Sequence, residues 1–199
     1  MTLNARIVLA SASPRRLELL GSLGLEVDVL PSGYDEPEIP GLLPVELASN
    51  HAAAKLQSAI TLLNERYDVP VLAADTVVDC DGAALGKPRD AAEAARMLEL
   101  LSGREHQVHT AFALGIPGHV PHVECATTRV WFYRLQPDEI AEYVATGEPM
   151  DKAGAYGIQG RAAALVERID GDFYTVMGLP LSRVVRAMRR LGFTLPKTK

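Results

Sequence analysis

Ser11-Ala12-Ser13-Pro14-Arg15-Arg16 joins an apolar run, Ile7-Val8-Leu9-Ala10, to a helical pattern carried by Leu17, Leu20 and Leu23. The order is strand, tight polar turn, helix. Ser13 suits the N-cap, and Pro14 suits the first helical position, where a fixed φ and a missing N–H do no harm. A helix start gathers unpaired amides and partial positive charge, which attract anions. Two serine hydroxyls and two guanidiniums stand at the same spot, and guanidinium forks match phosphate oxygens in pairs. The turn predicts a site for a phosphate-bearing ligand. An ordinary helix cap with two solvated arginines is the alternative reading.

The 199 residues suffice for one sizeable domain. With no linker dividing it, the whole of 1–199 is expected to be that domain. A composition 48% hydrophobic and 23% charged is that of a soluble globule. No apolar run approaches the ~20 residues of a membrane span. Residues 1–6 lack the basic-then-apolar layout of a signal peptide. Cys80 and Cys125 show no metal-ligand spacing, and two cysteines are too few for a disulfide framework, so a reducing cytoplasm is the expected location. A net charge of −5 argues against duplex DNA as a partner. A nucleotide ligand would have to be met by local clusters of Lys and Arg.

Further along, Gly24 is the expected end of the first helix and Leu25 to Leu30 reads as a second strand. Pro31 to Pro44 is an irregular loop carrying Asp35, Glu36 and Glu38. A helix is expected from Pro44 to about Tyr67, with Lys55 beside an inward strip of alanines and His51 on its surface. Val71 to Val78 reads as a buried strand, and Asp79 to Gly82 as a hairpin turn. Asp90 and Glu93 form a capping-box pair for a helix ending at Gly103. Two longer strands, His106 to Ile116 and Val123 to Leu135, precede a helix opening at Pro137. Ala164 to Ile169 and Phe173 to Met177 read as a short strand pair, followed by a last helix whose arginines face solvent. Crossovers and hairpins together argue α/β with a mixed sheet and flanking helices.

Asp75 is the sharpest chemical signal. A carboxylate inside an apolar strand is costly unless paired or metal-bound, so it either faces a cleft or serves a structural pairing. Glu36 could join it to hold a hard divalent cation, since magnesium needs only one or two protein carboxylates besides phosphates and water. Lys55, Lys87, Arg15 and Arg16 supply cations from separate segments, as phosphoryl transfer requires. Each also has a plain reading as a surface charge. In the stretch 147–160, Gly154, Gly157 and Gly160 would let backbone approach a ligand, and Gln159 could read a base edge. No Walker A or GxGxxG pattern occurs, and the histidines show no pairing that suggests a nucleophile scheme.

Taken in order, LASASPRRLELL, Asp35-Glu36, Lys55, AADTVV, LGKPRD, LSGREHQVHTA, GEPMDKAGAYGIQG and VMGLP resemble the Maf family of nucleoside triphosphate pyrophosphatases over nearly the whole chain. The resemblance implies a fold like that of inosine-triphosphate pyrophosphatases, with two lobes around a central cleft, and usually a homodimer. It implies hydrolysis of a nucleoside triphosphate to monophosphate and pyrophosphate with a divalent metal such as Mg, Mn or Co. Asp75 looks like the family's proton acceptor, and Ser11, Arg16, Glu36, Lys55 and Lys87 match its polar pocket. Arg15, Thr76 and Gln159 match the positions that sort subfamilies, and with AYGIQG they are similar to the dTTP/UTP branch. A 7-methyl-GTP enzyme and a non-catalytic regulator of septum formation are the alternatives.

On this reading Asp75 activates the attacking water, with Glu36 helping to hold the metal. Arg16, Lys55 and Lys87 neutralise the departing pyrophosphate, and Gln159 reads the pyrimidine. One conflict is visible in advance: ideal alternation puts Asp75 and Thr76 on opposite faces of a strand.

Overall fold

The structure, a computed structural model, describes residues 6–63 and 69–196. Its elements run β1 (Arg6–Leu9), α1 (Pro14–Gly21), β2 (Glu26–Val29), α2 (Pro44–Leu62), β3 (Val71–Cys80), β4 (Ala83–Leu85), α3 (Ala91–Leu101), β5 (Glu105–Gly115), β6 (His122–Phe132) and α4 (Pro137–Ala145). Three 3₁₀ turns follow, Glu148–Asp151, Ala153–Ala155 and Arg161–Ala164, then β7 (Val166–Asp170), α5 (Phe173–Met177) and α6 (Leu181–Arg190).

The strands form one sheet in the order β2-β1-β3-β5-β6-β7, with β4 beside the end of β3. β1 runs parallel to β2 and β3, and the remaining pairings are antiparallel. The mixed sheet follows from chain economy. A helix returns the chain between parallel neighbours, whereas tight turns join β3 to β4 and β5 to β6.

Alternation along β3 splits the interior in two. Val71, Ala73 and Val77 pack with Ala111 and Ala113 of β5 against α2, which offers Ala48, Ala52, Leu56 and Ala59. Leu72, Ala74 and Val78 face the larger core with Leu20, Leu98, Phe112, Phe132 and Val184. The α2 interface is nearly all alanine, so the helix sits close to the sheet and a lysine on it can reach a strand residue.

One feature of the ladder positions the site. β1 pairs with β3 only at Val71 and Leu72, and β4 pairs only with Val78, Asp79 and Cys80. Between them the edge of β3 that faces away from β5 has no strand partner among the described residues. A cleft opens there, outside the carboxyl end of β1, as is usual where neighbouring connections in an α/β sheet diverge.

Several sequence expectations need correction. Phe173 to Met177 is the helix α5, not a strand: Asp172 Oδ2 accepts from Thr175 N at 2.8 Å and so caps it, and β7 takes β6 as its partner instead. α1 buries Arg16, Leu19 and Leu20, leaving Leu17 38% exposed, so its inner face is turned from the one the leucines suggested. It also ends at Gly21, and Gly24 (φ 76) lies in the turn beyond. α2 ends at Leu62, and residues 64–68 of the expected helix lie outside the described residues. His51 is 4% exposed, not on the surface; its Nδ1 lies 3.3 Å from the Tyr34 hydroxyl. Asp90 caps α3 through Glu93 N, but the Glu93 carboxylate turns to Arg89, leaving half of the expected box. Among the described residues, no helix is long and apolar enough to cross a membrane.

Candidate active site

Ser11, Arg15, Arg16, Glu36, Lys55, Asp75, Thr76, Lys87 and Gln159 all line one cleft of about 420 Å³. Six different stretches deliver them: the β1–α1 turn with the start of α1, the loop before α2, α2 itself, the open edge of β3, the β4–α3 turn, and the 3₁₀ region after α4.

At the floor, Lys55 Nζ lies 2.6 Å from Asp75 Oδ1 and 2.5 Å from Glu36 Oε1. Lys55 is 7% and Asp75 4% exposed, so this is a buried pair at the junction of α2 and β3. It explains how an ionised aspartate is tolerated within an apolar strand: the ammonium answers it directly. Asp75 Oδ2 has no hydrogen-bond partner among the described residues, which leaves an acceptor toward the cleft. Partial burial alone would raise the Glu36 pKa. The hydrogen bond to and charge of Lys55, helped by Lys87 and His51, outweigh it and hold Glu36 below the usual carboxylate range.

Arg16 is engaged differently. Its Nε donates to Gly178 O (2.8 Å), one terminal nitrogen to Ala74 O (2.8 Å) and Ser11 Oγ (3.0 Å), and the other to Thr76 Oγ1 (3.1 Å). The guanidinium therefore fastens the open edge of β3 to the end of α5. Burial pulls its pKa down from the arginine value, partly countered by Asp75 and Glu36. Thr110 Oγ1 gives its proton to Thr175 O at 2.7 Å, so Thr76 Oγ1, 3.0 Å away, must donate to Thr110. The chain of donors runs from Arg16 through two threonines to α5.

This settles the conflict over neighbouring residues. Asp75 points toward α2 and Thr76 toward α5, and both still line the cleft because it lies on the strand's free edge, not on one face.

Gly154, Gly157 and Gly160 each lie against their own chain, and Gly157 also lines the cleft. A Cβ at Gly154 (φ 67) would lie 2.8 Å from Val78 Cγ2, one at Gly157 would strike the Lys152 stem, and one at Gly160 the Glu148 carboxylate. Glu148 in turn accepts from Tyr143 Oη (2.9 Å) and Arg161 N (3.1 Å). The segment is a braced wall carrying Ile158 and Gln159 into the cleft.

Sequence reasoning passed over Asp151, Lys152 and Tyr156, which also line the cleft. Arg15 pairs with Asp151 at 3.5 Å, and Lys152 Nζ holds the other Asp151 oxygen at 2.6 Å. Tyr156 Oη sits 2.8 Å from His106 Nε2 in the core behind the wall. Asp151 and Lys152 stand beside Gly154 in a stretch already singled out, but nothing in their spacing marks them as cleft residues. His109 lies between Asp79 and Thr127, and neither it nor His106 lines the cleft.

Residues 6–191 match the family model described as "Maf-like protein". The chain belongs to the Maf-like family. Among curated Maf-like relatives, a "dTTP/UTP pyrophosphatase" of Geobacter sulfurreducens is 50% identical over 189 residues, covering 94% of this chain and 97% of its own. One from Citrifermentans bemidjiense is 48% identical over 192 residues, covering 95% and 97%. A solved HAM1 protein from Coxiella burnetii shares 20% identity with a TM-score of 0.51, over 96% of this chain and 100% of that one. That likeness bears on fold alone.

Among the described residues, no three His, Cys, Asp or Glu side chains converge as a ready-made metal cage. Glu36 and Asp75 do converge on a single positive charge, that of Lys55. Two hard oxygen donors of this kind suit a magnesium-like cation whose other ligands are phosphate oxygens and water.

Proposed function

We propose that this chain is a nucleoside triphosphate pyrophosphatase acting on dTTP and UTP, converting each to its monophosphate and pyrophosphate. The observation that carries the reading is the Lys55 clamp on Asp75 and Glu36, at the floor of a cleft walled by Arg15, Arg16 and Lys87. The names of its relatives, at about half identity over nearly full length, supply the nucleotide.

Asp75 takes the proton from a water attacking the α-phosphorus, at the carboxylate oxygen that Lys55 leaves open. The new P–O bond forms as the α–β bridging P–O bond breaks, and pyrophosphate leaves with the electron pair. Lys55 and Lys87 face the charge that develops. Arg16 adds field but spends most of its N–H groups on protein oxygens. A divalent cation, when held by Glu36 and Asp75, supplies Lewis-acid charge to the phosphates and acidifies water. At the mouth, Arg15 and Gln159 offer donors and an acceptor to the pyrimidine carbonyl and imide groups, and Ser11 and Thr76 stand between. The homodimer, the cytoplasmic location and the single domain over 1–199 belong to the same reading.

The test is pyrophosphate release over a panel of nucleoside triphosphates with magnesium, manganese or cobalt. dTTP and UTP should lead the panel. Asp75→Asn should lower turnover by about a thousandfold or more while triphosphate binding survives. Binding without release by the unaltered protein, or preference for 7-methyl-GTP, would replace this reading.

A further inference from the structure

Asp151 has no part in the reaction just described, yet it stands on the cleft mouth and meets two cations there. Its Oδ2 lies 3.5 Å from Arg15 on α1, and its Oδ1 lies 2.6 Å from Lys152 Nζ. Lys152 is held in turn: its ammonium also donates to Glu148 O at 2.7 Å, and its stem crosses Gly157, where no side chain would fit. The carboxylate is thus fixed to the braced wall, and Arg15 leans on it from the opposite wall.

We propose that Asp151 sets the register of the nucleotide, holding the polyphosphate to the floor and aiming Arg15 at the base. The inference rests on the nucleotide-binding reading of this cleft. Charge carries the first half. At the mouth Asp151 neutralises part of the attraction that Arg15 and Lys152 would exert on phosphate. Phosphate is therefore drawn to the mouth less strongly than Arg15 and Lys152 alone would draw it, and an uncharged pyrimidine loses nothing there. Geometry carries the second half. At 3.5 Å the Arg15 contact is an ion pair with no hydrogen bond in it, so the guanidinium is oriented while its N–H groups stay available to base carbonyls. The ion pair also joins the wall bearing Gln159 to the turn bearing Arg15, and so fixes the gap into which a base must fit.

Asp151→Asn keeps the shape and removes the charge. Two readouts follow. By calorimetry, inorganic tripolyphosphate should bind the variant about threefold to tenfold more tightly than the parent protein, with a steeper salt dependence. In kinetics, the ratio of kcat/KM for dTTP to that for dCTP, dATP and dGTP should fall by about tenfold, mostly through KM. Asp151→Glu should restore both in part. A purely structural role would lower kcat/KM for all bases equally and leave tripolyphosphate binding unchanged; that result overturns the proposal. The calorimetric arm needs no turnover, so tighter tripolyphosphate binding by a protein inactive on every nucleotide would sink the pyrophosphatase reading alone.

Discussion

At the scale of single residues, two buried cations and one buried imidazole carry most of the electrostatic consequence. Lys55 makes Asp75 tolerable, and removing one partner of a buried pair leaves the other uncompensated. Lys55→Met should cost about 3 kcal/mol of stability, read from urea denaturation, in addition to abolishing turnover. Asp75→Asn leaves a neutral amide beside the lysine and should cost less. His106 makes a different prediction. It is 2% exposed, its Nδ1 has no hydrogen-bond partner among the described residues, and burial pushes its pKa from 6.5 down to about 4. Between those values the unfolded chain binds a proton that the folded chain refuses. The folded state is therefore fully favoured above the open-chain value and loses stability as pH falls toward 4, by at most ~3 kcal/mol at about 1.4 kcal/mol per pH unit. His106→Phe should shrink the drop in urea midpoint between pH 7 and pH 4.5 relative to the parent protein. An unchanged drop would mean that the imidazole takes up its proton in the folded state at the ordinary pH.

At the scale of elements, the 3₁₀ wall gains its rigidity from glycines that allow side chains to cross them. Gly154 (φ 67) combines a left-handed backbone with contact to Val78, so Gly154→Ala should cost about 2–3 kcal/mol. Gly118 (φ 82) has open space around it, and Gly118→Ala should cost only about 1 kcal/mol. Thermal denaturation of the two variants makes the comparison, and equal costs would show that crowding at Val78 is relieved cheaply. The same elements show what a sequence can and cannot disclose. The β3–β4 hairpin, the Pro14 and Pro137 helix starts and the Asp90 cap of α3 were legible because local chemistry dictates them. α5 was not: five residues with β-type composition become helical because Asp172 caps them and Arg16 grips the carbonyl just beyond. The true face of α1 was hidden for a related reason. Arg16 turns inward to answer carbonyls from segments 58 and 162 residues away in sequence, a pull no leucine spacing reveals. The candidate site was legible as a set of residue types, but the Lys55 bridge and the Asp151 pairing arise only when distant segments meet.

At the scale of the whole molecule, one sheet is shared by two cores of unequal size. The smaller, under α2, is lined by alanine and valine; the larger, on the other face, holds Phe112, Phe132 and most of the leucines. The cleft is built from both sides: Lys55 comes from the smaller core's helix, and Arg16 and Thr76 reach it from the larger core's side. β3 and β5 each contribute side chains to both cores, so neither core can lose its packing without stripping a face of the same strands. Unfolding should therefore be a single cooperative transition despite the division of the interior. The lone tryptophan provides the probe. Trp131 sits on β6 in register with Arg168 of β7, whose guanidinium lies 3.4 Å from its ring centre. Far-UV circular dichroism, by contrast, weights the 19-residue α2 heavily. Urea midpoints from Trp131 fluorescence and from far-UV circular dichroism should coincide. A lower midpoint by circular dichroism would mean that α2 leaves the sheet first, taking Lys55 from Asp75, and the cleft would then be lost before the fold is.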